Sequence, residues 1–222
     1  MEQLGGLNVP HSLDEVCRPE QLGLLVYDMQ VGILEQIADR HRVIQNVREV
    51  LAAAREARVR TYFTRHVTLP VALMGVAQLR MWRKWQRVDR LEDVRSPFLP
   101  EAPHTQIVPE LRPSEDEAVL DKLTLSAFAG TPLELALRGA GVGALAIVGV
   151  ATEIGIEPTV RHAGDLGFIP VLVTDACAAG AARAGARTLE TLQFLGDALL
   201  TDVAGFREAL AGRNYSSRSG GP

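Results

Sequence analysis

The sequence contains little cysteine, no long apolar run and no excess of positive charge, and each shortage excludes a class of protein. Its 222 residues include 2 cysteines, Cys17 and Cys177, too few for the disulfide framework of a small secreted domain. No apolar run reaches the length of a membrane span, and the first residues do not form a secretory signal pattern. The net charge of -4 gives no indication of nucleic-acid binding. We therefore expect a cytoplasmic protein that has neither a nucleic-acid partner nor a membrane partner.

What the sequence does have is a regular alternation of strand-like and helix-like segments. Leu22–Asp28 is a continuous apolar run closed by a carboxylate, which is typical of a strand buried on both faces. Arg42–Arg58 then places apolar residues at helical spacing. The strands that we expect are Leu22–Asp28, Val59–Thr64, a short strand that ends near Lys122, Val142–Val150, Phe168–Asp175 and Ala198–Asp202. The helices that we expect lie within residues 42–58, 70–91, 130–141, 156–167, 184–198 and 203–210.

This alternation predicts an α/β protein with three layers, α-β-α, and a mainly parallel sheet, because strands that alternate with helices pair in parallel and are covered on both sides. The length suits one sizeable domain, and no internal repeat divides the chain. We expect a single domain over residues 1–212. The polar, glycine-rich stretch over residues 213–222 is predicted to be a flexible tail.

Three groups lie at the carboxyl ends of expected strands, where open parallel sheets bind their ligands. They are Asp28, Lys122 and the turn from Val150 to Gly155. Taken one at a time, each also has a simpler interpretation, as a helix cap, a solvated lysine and a glycine that permits a tight turn. Pro158 indicates that a helix begins near Gly155, so free N–H groups open beside this glycine and favour an anion or a developing oxyanion. Glycine at this position would leave room for a ligand or a water molecule.

Three stretches together resemble the isochorismatase-like (cysteine) hydrolase superfamily. They read "LLVYDMQ", "DKLTLSAFAGTPLELAL" and "LAIVGVATEIGIEPTVRHAGDLGFIPVLVTDAC", and the resemblance extends roughly from Leu22 to Asp202. The amidase members use an Asp, a Lys and a Cys. The resemblance places the Asp at Asp28 and the Lys at Lys122, and it puts Gly155 where those members carry the nucleophilic Cys. It also implies a cis peptide bond at Val150–Ala151.

The missing cysteine implies chemistry without a thiol nucleophile. Isochorismatases proper resemble this chain because they also carry glycine there and keep the Asp and the Lys. Their reaction is hydrolysis of a vinyl ether, in which the Asp acts as an acid on the enol carbon and water adds to the resulting cation. The resemblance therefore implies three catalytic positions, namely Asp28, Lys122 and Gly155. A carboxyl must be protonated to act first as an acid, which burial favours and a nearby cation opposes.

Two other functions remain open at this point. One is an amidohydrolase that cleaves a C–N bond with water activated by Asp28, Glu153 or Glu157, although both glutamates also suit helix capping. The other is a noncatalytic member that lost its cysteine and binds a ligand or a partner. Cys177 is a further candidate nucleophile, but buried packing is the favoured interpretation for it.

The expected substrate is a small, carboxylated molecule, a vinyl ether or a related compound. The substrate-binding candidates are Val150, Ala151, Thr152, Ile154, Glu157, Trp82, Trp85, Arg87 and His66. Trp82, Trp85 and Arg87 also have an alternative interpretation to substrate binding. In this alternative, one tryptophan packs in the core and the arginines face water. The five histidines are scattered without metal-ligand spacing, so we expect no metal and no cofactor. The resemblance also implies a homo-oligomer, either a dimer or a tetramer.

Overall fold

A six-stranded parallel sheet forms the centre of the protein. The computed structural model describes residues 1–214. The strands are β1 (Glu2–Leu4), β2 (Leu7–Val9), β3 (Leu22–Tyr27), β4 (Arg60–His66), β5 (Ala118–Lys122), β6 (Ala144–Val150), β7 (Ile169–Ala178) and β8 (Leu199–Thr201). β1 and β2 form a separate antiparallel hairpin. The other strands follow the order β5-β4-β3-β6-β7-β8, and each neighbouring pair is parallel.

Helices cover both faces of this sheet. They are α1 (Leu13–Val16), α2 (Val31–Leu34), α3 (Arg40–Glu56), α4 (Val76–Gln86), α5 (Leu133–Gly139), α6 (Glu157–Asp165), α7 (Ala182–Leu195) and α8 (Val203–Asn214). α3 and α8 pack their apolar side chains in a core on one face. α5, α6 and α7 contribute to a second core on the other face. The predicted three-layer α-β-α fold with a mainly parallel sheet is therefore confirmed.

The apolar pattern explains why the central strands lie where they do. All six residues of β3 and all seven residues of β6 are buried, as expected for strands that are covered on both faces. α3 carries its buried residues at helical spacing, among them Val43, Val47, Val50 and Leu51. Burial of these residues removes apolar surface from water, which is the main stabilising term of such a fold.

Several boundaries differ from the sequence-based expectations. The hairpin β1–β2 and the short helices α1 and α2 were not predicted, because each is too short to show a periodic pattern. β7 continues to Ala178, so that Cys177 lies within the strand. α8 extends to Asn214, into the first two positions of the predicted tail, and the rest of that tail lies outside the described residues. No helix within residues 1–214 is long and apolar enough to cross a membrane.

The strand order brings three chain segments to one rim of the sheet. β3 lies between β4 and β6, so the strand order reverses at β3, and open parallel sheets bind their ligands beyond the carboxyl ends of the strands at such a point. Asp28 directly follows β3, and Lys122 is the last residue of β5. The turn that starts at Ala151 directly follows β6. The candidate site therefore lies at this rim.

Candidate active site

Asp28 is held at the end of β3 in a buried, polar setting. The residue is 4% exposed, and its backbone φ of 48° is in the left-handed region, which Asp tolerates better than most residues. Thr64 of β4 donates its hydroxyl hydrogen to Asp28 Oδ1 at 2.7 Å. The same hydroxyl accepts the backbone N–H of Asp28 at 3.2 Å. The neighbouring strand therefore fixes both the backbone and the carboxylate of Asp28.

Lys122 completes an ion pair with this carboxylate. Its Nζ donates to Asp28 Oδ2 at 2.7 Å and to the carbonyl oxygen of Thr124 at 3.2 Å. The lysine is 2% exposed. Burial lowers the pKa of Lys122, whereas the carboxylate of Asp28 acts in the opposite direction. The structure thus brings together the acid and the cation that the sequence placed 94 positions apart.

The turn after β6 has the cis peptide bond that we expected, but the expectation of free N–H groups beside Gly155 is wrong for the N–H groups of residues 154–156, which are bonded within the turn. The peptide bond Val150–Ala151 is cis. Residues Thr152–Ile156 form one π-helical turn that leads into α6. The carbonyl oxygen of Ala151 accepts the N–H groups of Ile154, Gly155 and Ile156 at 3.1–3.2 Å. Val150, Ala151 and Thr152 are buried, while Ile154 is exposed.

The space beside Gly155 is filled. A Cβ atom built on Gly155 would lie 2.5 Å from Cζ and 2.7 Å from Cε1 of Tyr27, and still closer to its hydroxyl. We expected that glycine would leave this room for a ligand or water, and that expectation is wrong for the structure described here. The ring of Tyr27 occupies the volume instead. Gly155 therefore permits the close approach of the Tyr27 ring as well as the turn of the backbone.

The hydrogen bonds of Glu153 and Glu157 go to residues other than Asp28. Glu153 accepts the backbone N–H groups of Gly180 and Ala181 at 3.3 and 2.7 Å, just before α7 begins. Glu157 accepts from Arg161 at 3.1 Å and from the hydroxyl of Thr188 at 3.0 Å. Glu153 thus holds the backbone just before α7, and Glu157 joins α6 to α7.

Comparison with known proteins places this geometry in a family. The model of the isochorismatase domain matches residues 23–203 of the chain. The chain belongs to the isochorismatase family. The predicted family and the predicted enzyme class, a hydrolase, are therefore confirmed.

Individual relatives of this isochorismatase family member are similar over most of their length. The uncharacterised isochorismatase family protein YecD of Escherichia coli O157:H7 is 30% identical over 167 residues, which are 72% of this chain and 80% of that protein. Ureidoacrylate amidohydrolase RutB of Cronobacter sakazakii is 29% identical over 173 residues, 71% of this chain and 75% of that protein. The structure of a cysteine hydrolase from Pseudomonas syringae pv. phaseolicola has a TM-score of 0.77 and 23% sequence identity, and the match covers 89% of this chain and 95% of that chain.

The thiol of Cys177 is in a different environment from a reactive cysteine. Cys177 is buried in β7, and its Sγ lies 3.8 Å from the carbonyl oxygen of Ile147. Burial raises the pKa of the Cys177 thiol to about 12. Only the thiolate is a good nucleophile, so this isochorismatase family member holds Cys177 in its unreactive form.

His66 connects the site to a small apolar cluster, which we call the tryptophan cluster. The buried members of this cluster are Met74, Trp82, Val94 and Phe98. The ring of His66 lies 5.9 Å from that of Trp82 and 6.3 Å from that of Phe98, measured between centroids. Burial and the charge of Lys122 lower the pKa of His66 to about 4, so its imidazole is neutral at pH 7.

The two tryptophans are placed differently. Trp82 is buried, whereas Trp85 is 43% exposed and meets Trp82 edge to face at 5.3 Å. Arg87 follows α4 in a left-handed conformation and is exposed, as are the other cations of that helix. The structure thus packs one tryptophan inward and turns the cations to solvent. It brings His66 next to the site but leaves Arg87 at the surface.

Two residues of the site were missed by sequence reasoning. Thr64 binds Asp28, and Tyr27 fills the space beside Gly155. Thr64 ends the expected second strand, so its place on the rim was available from the sequence. The contact between Tyr27 and Gly155 was not, because it depends on how β3 and the turn after β6 approach each other. Within residues 1–214, no group of three or more His, Cys, Asp or Glu residues is arranged to hold a metal ion.

Proposed function

We propose that this protein hydrolyses a small, carboxylated molecule, a vinyl ether or a related compound, without a thiol nucleophile. The observation that carries the proposal is the buried ion pair between Asp28 and Lys122 beside a position, Gly155, that bears no side chain. A thiol route has no support, because Cys177 is buried and its pKa is raised to about 12. Asp28 is therefore the group at this rim to which we assign the proton transfer.

Asp28 and Lys122 have separate roles in the proposed hydrolysis, which consumes one water molecule. The carboxylate of Asp28, which is paired with Lys122, first takes up a proton from solvent. It gives this proton to the enol carbon of the vinyl ether, which leaves an oxocarbenium ion. Water adds to the cationic carbon and loses a proton to the Asp28 carboxylate. Collapse of the resulting hemiketal breaks the C–O bond and gives an alcohol and a ketone. Lys122 orients the carboxylate and supplies positive charge for an anionic substrate.

An amidohydrolase is the second candidate, and the similarity to a ureidoacrylate amidohydrolase favours it. In that case Asp28 would act as a base and activate water for attack on the carbonyl carbon. Glu153 and Glu157 are poor bases for this step because each is held by hydrogen-bond partners in α7 or just before it. A noncatalytic binding protein is the third candidate. It leaves the buried ion pair without a purpose, since such pairs seldom add stability compared with apolar residues.

A hydrolysis screen tests the proposal. The purified protein and Asp28→Asn are incubated with vinyl ethers such as isochorismate, ureido compounds and simple amides, and products are identified by mass spectrometry. Asn keeps the size of the side chain and tolerates the left-handed backbone. We expect turnover of a vinyl ether that falls at least about 1000-fold in Asp28→Asn. Turnover of an amide alone would replace the first candidate with the second.

Cys177→Ala is the matched control for the thiol. We expect this variant, and the protein treated with iodoacetamide, to keep their turnover. Loss of turnover in both would overturn the thiol-independent mechanism. Loss after alkylation alone would point to a steric effect of the reagent at another position.

Two further expectations are proposals of the same kind. We propose a cytoplasmic homo-oligomer, a dimer or a tetramer. Fractionation of the native cells tests the location. Light scattering of the purified protein tests the subunit number, and a monomer at micromolar concentration would contradict the proposal.

A further inference from the structure

We propose that Tyr27 is a positioning residue of the candidate site, because its ring fills the volume that a side chain at position 155 would need and holds the Lys122 ammonium against Asp28. The role of Asp28 and Lys122 in chemistry rests on the proposed function above. The placement of Tyr27 does not, and it can be tested without a substrate. No family resemblance assigned a role to this residue.

Tyr27 and Gly155 fit each other sterically. The Cβ of any other residue at position 155 would overlap with the ring, at 2.5 Å from Cζ and 2.7 Å from Cε1. Real Cβ atoms do not approach carbon atoms this closely, so either the ring or the turn would have to move. A cysteine at position 155 would meet the same obstacle. The ring therefore blocks a covalent route at this position by its bulk.

The ring of Tyr27 is not free to move aside. Its hydroxyl donates to the carbonyl oxygen of Leu125, and the residue is 1% exposed. Its backbone is fixed by Gly149 of β6, where a Cβ atom would lie 2.9 Å from the carbonyl carbon and 3.0 Å from the nitrogen of Tyr27. Gly149 has a φ of 123°, which only glycine adopts readily. Two glycines thus enclose Tyr27, one at its backbone and one at its ring.

Tyr27 also contacts the lysine of the ion pair. Lys122 Nζ lies 4.3 Å from the centroid of the Tyr27 ring and 2.7 Å from Asp28 Oδ2. A desolvated ammonium is attracted by the face of an aromatic ring. The hydroxyl of Tyr27 also anchors Leu125, which lies three residues after Lys122. The ring and the hydroxyl therefore both restrain the segment that carries the lysine.

Tyr27 acts in this arrangement as a neutral phenol. Burial and the nearby charge of Asp28 raise its pKa well above the ordinary value. A neutral phenol is a weak nucleophile, so Tyr27 does not replace the missing thiol in covalent chemistry.

The steric fit is tested by a double-mutant cycle of thermal unfolding. We expect Gly155→Ala to lower Tm by about 5–10 °C, or to prevent folding. In the Tyr27→Leu background, which removes the ring, the same substitution should lower Tm by at most about 2 °C. Gly164→Ala is the matched control, because Gly164 lies on α6 and an added Cβ would meet nothing within 4 Å. It should raise Tm by about 2–4 °C, and by the same amount in both backgrounds. Equal losses for Gly155→Ala in both backgrounds would overturn the proposal.

The contact with the lysine is tested by NMR. The sequence contains two lysines, Lys84 and Lys122, so Lys84→Arg leaves a single ε-methylene signal. Because Lys122 lies over the ring, we expect its ε-proton resonance upfield of its free-lysine position. Tyr27→Phe keeps the ring and should keep this shift, whereas Tyr27→Leu should abolish it. A resonance at the free-lysine position, or a shift that persists in Tyr27→Leu, would overturn the proposal even if every Gly155→Ala protein failed to fold.

These readouts separate the two proposals. A protein that shows the coupling and the upfield shift but hydrolyses nothing in the screen would contradict the proposed function alone. A protein that hydrolyses a vinyl ether but lacks both signals would contradict the role of Tyr27 alone.

Discussion

The site at the strand ends and the tryptophan cluster beside it are built in different ways. Asp28 and Lys122 are held by hydrogen bonds from neighbouring strands and are 4% and 2% exposed. The tryptophan cluster lies on the long connection between β4 and β5 and has its own small core. Its helix α4 turns two arginines and one lysine to solvent. Asp28 and Lys122 are thus fixed on rigid elements, whereas the segment that adjoins them is peripheral.

We expect the tryptophan cluster and the candidate site to have different roles. Because Asp28 and Lys122 are covered, a substrate reaches them only after neighbouring groups move. Elements with their own small core and few ties to the sheet open at a lower free energy than the central strands. We therefore expect access to depend on the tryptophan cluster and proton transfer to depend on the site.

The largest effect should come from Lys122→Met. Removal of the ammonium leaves a buried carboxylate without its partner, so we expect a loss of about 3–5 kcal/mol in the free energy of unfolding and loss of turnover. Lys84→Met is the matched control, since Lys84 is exposed on α4. It should change stability by less than about 0.5 kcal/mol. Urea unfolding measures both. Similar losses in the two variants would remove the distinction between the buried site and the exposed helix.

The next effect separates Trp82, which is buried in the cluster, from its exposed neighbour Trp85. Trp82→Ala removes a buried side chain and should cost about 3–5 kcal/mol. Trp85 is 43% exposed, so Trp85→Ala should cost about 1 kcal/mol. If Trp85 contacts the substrate, its variant should also raise KM while stability is nearly kept. Equal destabilisation by both variants in urea unfolding would show that the cluster is packed as firmly as the main core.

The fold was predictable because burial leaves a periodic trace in the sequence. β3 and β6 are covered on both faces, and their continuous apolar runs indicate this directly. α3 shows the helical spacing of its buried valines and leucines. The hairpin β1–β2 has an exposed residue at every position, so no alternation marked it. Boundaries such as the end of β7 were missed because strand pairing with β6, rather than local composition, sets them.

The site was predictable to the extent that strand ends determine it. Asp28 and Lys122 end two strands of one sheet, so their convergence followed from the topology and the family resemblance. The partners of the glutamates did not follow, because Glu153 binds backbone N–H groups just before α7 and Glu157 binds Thr188 of α7. Only the packing of these elements brings the atoms near. Tyr27 was missed for the same reason.

The pH dependence of the free energy of unfolding should show that His66 is buried like Asp28 and Lys122. The pKa of His66 falls from 6.5 to about 4 on folding. Between pH 4 and pH 6.5, His66 therefore binds a proton in the unfolded chain but not in the folded protein. Stability should therefore fall as pH drops below about 6.5, by about 2 kcal/mol at pH 5. His66→Gln lacks this titration and should lose about 2 kcal/mol less than the unsubstituted protein over the same interval. The same pH profile in both proteins would contradict the assignment.

We expect the smallest effect for Arg87. Its substitution tests whether the exposed segment that contains α4 takes part in substrate binding. Arg87 has a φ of 54° after α4, and Arg58 has a φ of 57° after α3. Glycine adopts this conformation without a steric cost, so Arg87→Gly and Arg58→Gly should each raise stability by about 0.5–1 kcal/mol. If Arg87 attracts an anionic substrate, its variant should raise KM with kcat unchanged, and Arg58→Gly should leave both constants as they are. An unchanged KM in Arg87→Gly would remove Arg87 from the substrate-binding candidates, since the matched gain in stability shows that the fold is intact.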